Sequence, residues 1–369
     1  MQNKYKHILF TGGGTGGHIF PALAIAEEIK EMDSNCMISF IGTYNKIEAT
    51  IVPQNGYAFY PIWISGLQRR ITLKNLLLPI KLVVSFVQVF TLLKKLKPNL
   101  VVGTGGYVCG PVLRVASWFK IPTIIHESNS YPGITTRLLA KKASKVYLAF
   151  NETKKMLSKN INSEVVGNPT RNKFGKISAN AGKKHFGLEQ NLKTILIFGG
   201  SLGASKINSS IYSIITLIHQ KNYQVIWQTG KTDAAYYQSS VKQMNIKILP
   251  FIDEMEYAYA AADVVICRSG AITISELTLL GKPAILIPYP HASENHQYFN
   301  AKVLTDNNAA LLIEEKELEE KLFSSLYDLL SSDSKLKEMA IQSKKLGRPD
   351  ASKIIAKQLI QQIESNSND

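Results

Sequence analysis

Val264-Val265-Ile266-Cys267-Arg268-Ser269-Gly270-Ala271-Ile272-Thr273-Ile274-Ser275-Glu276-Leu277-Thr278-Leu279-Leu280-Gly281-Lys282-Pro283 is a complete structural sentence. Its first four residues are apolar and biased to β-branched types, as in a strand buried on both faces. Arg268 to Ala271 break that run at a glycine. Ile272, Glu276 and Leu279 then fall at helical spacing until Gly281 and Pro283 close the helix, and Ala284 to Pro288 predicts a second strand. A tight strand-to-helix turn aims backbone N–H groups and the positive end of the helix dipole at whatever lies above it, which suits a phosphate and needs no metal. Glu276 follows about one turn in, where a carboxylate can accept hydrogen bonds from both hydroxyls of a ribose. The polar loop His291-Ala292-Ser293-Glu294-Asn295-His296-Gln297 comes next, rich in groups that bond sugar hydroxyls. The plain alternative is a βαβ unit with an ordinary helix cap and a solvated loop.

The same design recurs upstream. Thr194 to Phe198 is an apolar strand running into Gly199-Gly200-Ser201-Leu202-Gly203-Ala204 and a helix. His7 to Phe10 runs into Thr11-Gly12-Gly13-Gly14-Thr15-Gly16-Gly17-His18 and a helix with Pro21 in its first turn, whose buried face is Ala22, Ile25, Ala26 and Ile29. Met37 to Ile41 and Pro98 to Gly103 are further strands, the latter followed by a second glycine turn, Gly103-Thr104-Gly105-Gly106-Tyr107, and a helix opened by Pro111. Pro122 to His126 ends in His126-Glu127-Ser128-Asn129, polar side chains at the strand end where open α/β sheets bind ligands. Gly167-Asn168-Pro169-Thr170-Arg171 reads as a hinge, and Lys173 to Lys184 as polar and irregular. The fold class expected is therefore α/β, two Rossmann-like domains at residues 1–166 and 167–346, with a last helix in 347–365 packing back on the first. Glu314 to Met339 predicts an amphipathic helix or helix pair, built on Leu318, Leu322, Leu326 and Leu329.

Composition narrows the class. The chain has 369 residues, 45% hydrophobic and 19% charged, ordinary for a folded soluble protein and long enough for two cores. Cys36, Cys109 and Cys267 are widely spaced, so neither a disulfide framework nor a zinc site is expected, and a reducing cytosol fits. The N-terminus leaves no room for a signal peptide, and the longest apolar tract, Leu82 to Leu93, is too short to span a bilayer. The formal net charge is +15, and no acidic residue stands between Glu48 and Glu127 while Arg69, Arg70, Lys74, Lys81, Lys94, Lys95, Lys97, Arg114 and Lys120 do. Such a face suits nucleic acid, anionic lipid or a phosphorylated substrate.

Gly12-x-Gly14-x-x-Gly17 matches the dinucleotide fingerprint, so an NAD-dependent oxidoreductase is a candidate. That fingerprint requires an acid at the end of the second strand, where this chain has Ile41-Gly42-Thr43. A Walker loop is excluded because Gly230-Lys231-Thr232 has Val225 where that motif needs its first glycine.

The segments TGGGTGGHIFPALAIAEE, GTGGYVCGPV, HESNSYPG, GNPTR, FGGSLGASKIN, FIDEMEYAYAAADVVICRSGAITISELTLLGKPAILIPYP and HQYFNA together resemble the MurG family, from Phe10 to about Ser352 and in the family's order. The departures are one extra glycine in the first loop and His296 where other members have glutamine. The resemblance implies a GT-B glycosyltransferase with a deep cleft, acceptor in the N-terminal half and UDP-N-acetylglucosamine in the C-terminal half. It implies inverting transfer of N-acetylglucosamine to the C4 hydroxyl of undecaprenyl-diphospho-MurNAc-pentapeptide, in peptidoglycan synthesis. No Asp-x-Asp occurs in the chain, which agrees with a metal-independent enzyme whose helix termini stabilise the leaving diphosphate.

Matching the family's motifs, Thr15, Gly16, Gly17, Asn129, Arg171, Ser201, Ile252, Ala271, Ile272, Thr273, Ile274, Ser275, Glu276 and Gln297 are the donor-binding positions. Glu276 would hold the ribose, the Ile252 backbone the uracil, Ser201 and the nearby turns the diphosphate, Gln297 and Asn129 the sugar hydroxyls. Gly105, Gly106 and Tyr107 fall on the acceptor and its diphosphate. His18 is the candidate base, its imidazole kept neutral by the helix N-terminus; the alternative is a cap or phosphate ligand. Glu127 is a rival base or an orienting partner.

The acid-free stretch gains a meaning from the same resemblance. Ile71, Leu76, Leu77, Leu78, Val83, Val84 and Phe86 with Arg69, Arg70, Lys74 and Lys81 form a candidate face for the anionic inner leaflet, or else in part the buried side of a domain helix. A peripheral protein on the cytoplasmic face of the cell membrane is expected, with lipid-linked acceptor and cell-wall synthesis and division proteins as partners, and no nucleic acid. Two other classes compete: a UDP-N-acetylglucosamine epimerase of the same architecture, and a membrane-associated binding module without turnover.

Overall fold

The computed structural model describes residues 6–66, 77–170, 174–200, 202–242 and 245–365. The chain divides into two compact units, Met1–Thr170 with Pro349–Asp369, and Arg171–Arg348. The Gly167–Thr170 segment that reads as a hinge thus belongs to the first unit. It is tied there by His126, whose Nε2 lies 3.1 Å from the Gly167 carbonyl, and by Asn168, whose Nδ2 donates to the Ser128 carbonyl at 3.0 Å.

In the first unit the strands β1 (His7–Thr11), β2 (Met37–Thr43), β3 (Ala58–Ile62), β4 (Leu100–Gly103), β5 (Thr123–Glu127), β6 (Lys145–Leu148) and β7 (Ser163–Val165) form one parallel sheet, ordered β3-β2-β1-β4-β5-β6-β7. Alternate side chains serve opposite cores. Ile8, Phe10, Leu100 and Val102 pack with Ala22, Ile25, Ala26 and Ile29 of the Gly16–Met32 helix and with Ile355, Ala356 and Leu359 of the Ala351–Ser365 helix. Leu9, Val101, Ile125 and Val146 pack on the other face with Val112, Val115 and Ala116 of the Cys109–Trp118 helix and with Val89 and Leu93 of the Leu78–Leu96 helix. A sheet covered on both faces has no solvent side to mark with polar residues, hence the unbroken apolar runs. Pro21 is not in the first turn of its helix as expected: the helix begins at Gly16, and Pro21 sits inside it without an N–H for the Gly17 carbonyl.

The second unit repeats the scheme with β8 (Thr194–Phe198), β9 (Gln224–Gln228), β10 (Ile246–Leu249), β11 (Val264–Cys267), β12 (Ala284–Leu286) and β13 (Leu311–Leu312), all parallel and ordered β10-β9-β8-β11-β12-β13. Ile195, Ile197, Val225, Trp227, Val264 and Ile266 meet Leu318, Leu322, Leu326 and Leu329 of the Leu318–Leu330 helix. The expected amphipathic stretch is a helix pair, Leu318–Leu330 and Asp333–Lys345. The stretch expected to be irregular before β8 contains a helix, Ala179–His185, capped by Ser178, whose Oγ accepts the Ala181 N–H at 3.2 Å. Its apolar content is too low to show in the sequence; it is held by close approach. A Cβ on Gly182 would lie 2.6 Å from both the Ala261 nitrogen and the Tyr257 carbonyl oxygen of the Met255–Ala261 helix.

Candidate functional site

In the second unit the strand order reverses between β8 and β11, so the loops after these strands bound the crevice where such sheets bind ligands. Gly270 is the N-cap of the Ala271–Leu280 helix and brings no side-chain oxygen to it, and the first turn carries no acid. The dipole's positive end is therefore undiminished by a local carboxylate. The loop is fixed from behind: Ser269 Oγ donates to the Gln297 carbonyl at 2.7 Å, and Asn300 Nδ2 to the Ser269 carbonyl at 3.3 Å. Arg268 points into the scaffold, donating to the Ile287 and Pro288 carbonyls at 3.2 and 3.1 Å, pairing with Glu315 and covering the Tyr289 ring.

Glu276 is half-buried, and its Oε2 accepts the Tyr259 hydroxyl at 2.8 Å. Tyr259 is wholly buried between the edges of Phe174 and Phe198, and burial, then the Glu276 charge, holds its hydroxyl firmly protonated. It is thus a committed donor that sets the rotation of the carboxylate. Ile272, Thr273 and Ser275 are half-buried on the same turns, while Ala271 and Ile274 are buried and offer backbone only. Gln297 accepts the Tyr289 N–H on Oε1 at 2.9 Å, so its amide N–H groups are what it can present to a sugar.

For Ile252 the structure narrows which backbone group is open to a ligand. Its N–H donates to Gln228 Oε1 at 2.8 Å, so the group available to a uracil is the carbonyl. Gln228 Nε2 donates in turn to the Gly200 carbonyl at 2.8 Å, which binds the loops after β8 and β10 into one rim. Arg171 and Ser201 lie outside the described residues.

The first unit reverses between β1 and β4, with Thr11 in register with Gly103. The two glycine turns that follow these strands touch. A Cβ on Gly105 (φ 110°) would come within 2.5 Å of His18 Nδ1, and one on Gly106 (φ 86°) within 2.3 Å of the Gly13 carbonyl oxygen. Only glycine permits both the left-handed backbone and the approach. His18 is the third residue of the Gly16–Met32 helix, half-buried, its carbonyl accepting Thr104 Oγ1 at 2.7 Å. Thr15 is exposed at the N-cap, with Gly16 and Gly17 half-buried beside it. The Tyr107 ring lies against Gly14 and Gly66, and burial raises its hydroxyl pKa.

This turn differs from a dinucleotide site in one decisive respect. Glu48, fully buried, accepts the Gly14 N–H on Oε2 at 3.1 Å, and on Oε1 the Thr43 N–H at 3.2 Å and hydroxyl at 2.7 Å. The first acid after β2 thus lies inside the Ile47–Gln54 helix and is turned inward on the loop itself.

At the end of β5, Glu127 is buried and accepts four hydrogen bonds: Asn129 N–H and Nδ2 on Oε1 at 3.0 and 3.3 Å, Gly133 N–H and Thr136 Oγ1 on Oε2 at 2.9 and 2.6 Å. It closes the 128–133 loop, orients Asn129 and caps the Ile134–Leu139 helix. Beside it His126 is buried and neutral, its pKa lowered to about 4 by loss of solvation. Among the described residues no cluster of three or more His, Cys, Asp or Glu side chains is arranged to hold a metal.

Residues 8–148 match the glycosyltransferase family 28 N-terminal domain and residues 194–355 its C-terminal domain. The chain is 43% identical, over the whole length of both, to the UDP-N-acetylglucosamine--N-acetylmuramyl-(pentapeptide) pyrophosphoryl-undecaprenol N-acetylglucosamine transferase of Flavobacterium psychrophilum. The crystal structure of Acinetobacter baumannii MurG superposes with a TM-score of 0.76 at 29% identity, covering 97% of this chain and 99% of that one. The chain belongs to the MurG family of glycosyltransferases. A Listeria monocytogenes protein described as a putative UDP-N-acetylglucosamine 2-epimerase also superposes, with a TM-score of 0.70 at 10% identity over 95% of this chain and 94% of that one, a likeness of fold alone.

The MurG-family surface stretch is partly described. Ile71, Leu76, Arg69, Arg70 and Lys74 lie outside the described residues. Leu77 and Val83 are exposed, whereas Leu78, Val84 and Phe86 are half-buried. Ile80, Leu82, Val87 and Phe90 extend the exposed side of the Leu78–Leu96 helix, which turns Ser85, Val89 and Leu93 inward. Trp118 stacks on Phe86 and Phe119 packs on Phe90. Lys81 lies over the Trp63 ring and donates to Ser65 Oγ at 3.2 Å. Among the described residues no helix is long and apolar enough to cross a membrane.

Sequence reasoning missed Glu48, Gln228 and Tyr259. Glu48 had a signal, as the acid nearest after β2, but its distance from the strand end hid its role. Gln228 and Tyr259 had none, because their partners are distant in sequence.

Proposed function

We propose that this protein transfers N-acetylglucosamine from UDP-N-acetylglucosamine to the C4 hydroxyl of undecaprenyl-diphospho-MurNAc-pentapeptide, with inversion, making the disaccharide lipid precursor of peptidoglycan. The observation that carries this is full-length identity of 43% to an enzyme whose name states that donor, acceptor and transferred group. Peptidoglycan synthesis, and with it cell shape and division, follows as the process served.

The chemistry divides between the units. In the first, His18 takes the proton of the acceptor hydroxyl as its oxygen forms the new bond to the anomeric carbon. The old C–O bond breaks on the opposite face and its electron pair leaves with UDP. In the second, the N-terminus of the Ala271–Leu280 helix and the turn at Ser201 stabilise the charge on the departing diphosphate. Glu276 holds the ribose diol, the Ile252 carbonyl accepts from the uracil, and Gln297 and Asn129 bond the sugar hydroxyls. Thr15, Gly16, Gly17 and Arg171 complete the donor contacts, and Gly105, Gly106 and Tyr107 receive the acceptor diphosphate. Four donors on Glu127 support a role for it in orienting Asn129, with the base at His18. No step requires a metal ion. The apolar side of the Leu78–Leu96 helix and the basic residues around it bring the enzyme to the anionic cytoplasmic face of the membrane, where its acceptor is anchored.

UDP release measured with and without the lipid-linked acceptor, in EDTA, tests the whole scheme. Release only with acceptor, undiminished by EDTA, is expected. Release without acceptor would favour an epimerase-like reaction, and loss in EDTA restored by magnesium would overturn the metal-free mechanism.

A further inference from the structure

The first glycine turn carries its own anion. A carboxyl group with no exposed surface is costly to bury without hydrogen-bond partners, and Glu48 accepts the Gly14 N–H, the Thr43 N–H and the Thr43 hydroxyl. Its surroundings are shaped for it. A Cβ on Gly13 would stand 2.3 Å from Glu48 Oε1, and one on Gly42 2.7 Å from its Cγ, so two further glycines yield the space the side chain fills. The Thr43 side chain also lies close to the Tyr107 hydroxyl. Tyr107 in turn closes over Gly14, and its neighbour Gly105 lies against the His18 ring. Carboxylate, threonine, tyrosine and two glycine turns are thus one connected support.

We infer that Glu48 is a positioning residue for catalysis: by holding Gly14 and Thr43 it fixes both the loop that leads into His18 and the Tyr107 that lies against Gly14. With its Gly14 N–H taken by Glu48, this part of the turn is held in place for the proton transfer, and Thr15, Gly16 and Gly17 beyond it are left for the donor. The inference rests on His18 as the base, which His18→Ala tests alone.

Glu48→Gln keeps the shape but must set an amide N–H2 against either the Gly14 N–H or the Thr43 donors. In the full-length protein it is expected to lower kcat about 10- to 100-fold. UDP affinity by calorimetry should stay within about twofold of the parent, and the residual activity should keep the acidic limb of the kcat profile, since His18 still titrates. Thr43→Val, which removes one donor and preserves the β-branched shape, should lower kcat by several-fold and keeps the test valid if the glutamine variant fails to fold. Parental kcat in either variant overturns the inference. So does a proportionate loss of UDP affinity, which would mean general loosening, or disappearance of the acidic limb in Glu48→Gln, which would make Glu48 itself the titrating base.

Discussion

The two glycine turns proposed to face ligands in this protein are built alike and furnished oppositely. In the first unit the nearest acid, Glu48, is fully buried and its oxygens are taken up by Gly14 and Thr43. In the second, Glu276 is half-buried on the second turn of its helix, its Oε2 steadied by Tyr259. In the proposed function the same strand, turn and helix would serve as a rigid mount for a side chain in one case and as an anion site with a ribose acceptor in the other. What differs is where one carboxylate points. The supersecondary motif sets the place of a site, and the acid decides its use.

This contrast can be broken at several points. The largest effect is expected at His18, for which a general base contributes about 10²- to 10⁴-fold in rate. His18→Ala should depress kcat by that order with UDP affinity unchanged, and should abolish the acidic limb of the kcat profile. A variant with near-parental kcat and weak donor binding would make the first turn a phosphate site like the second.

His126 gives the first unit a pH dependence on the acid side of neutrality. Its pKa falls from 6.5 in the unfolded chain to about 4 when buried. Between those values the unfolded chain binds the extra proton and the folded one does not, so stability present above pH 6.5 is lost as pH falls through 4. The shift corresponds to about 3 kcal/mol at most. Denaturant titrations across that window should show the loss, and His126→Gln should flatten it; identical slopes in the two proteins would reject the assignment.

In the second unit Glu276→Ala should weaken UDP by about 1.5–3 kcal/mol, as for hydrogen bonds to a charged group, with the fold intact. Calorimetry decides it, and unchanged affinity would remove Glu276 from the donor site. The smallest effect is expected for Tyr259→Phe. Losing the hydroxyl that orients Glu276 should cost about 0.5–1.5 kcal/mol of UDP affinity, and nothing further once Glu276 is alanine. Additive losses in the double variant would show that Tyr259 acts on the fold and not through the carboxylate.

Legibility in the sequence followed the range of the interaction. The buried strands, the glycine turns and the helices behind them are local: periodicity, β-branched runs and obligatory glycine dictate them within a few residues, and so Val264–Cys267, Gly270 and the Ala271–Leu280 helix stand where the chain predicts. The Ala179–His185 helix was not visible, because its stability comes from Gly182 pressed against the Met255–Ala261 helix. Pro21 misled because a proline near a helix start usually marks the first turn, yet here the helix begins earlier at Gly16.

Composition and motif determined that this is a two-unit α/β protein of the MurG family, and which side chains are candidates for its ligands. Only the tertiary structure decided what those side chains are free to do. It engaged the Ile252 N–H with Gln228, surrounded Glu127 with four donors, and turned Glu48 inward beneath the loop that bears His18. The physical reason is that hydrogen-bond capacity is finite. A residue's chemical type is written in its codon position along the chain, but whether its lone pairs are already used depends on partners that folding alone brings within 3 Å.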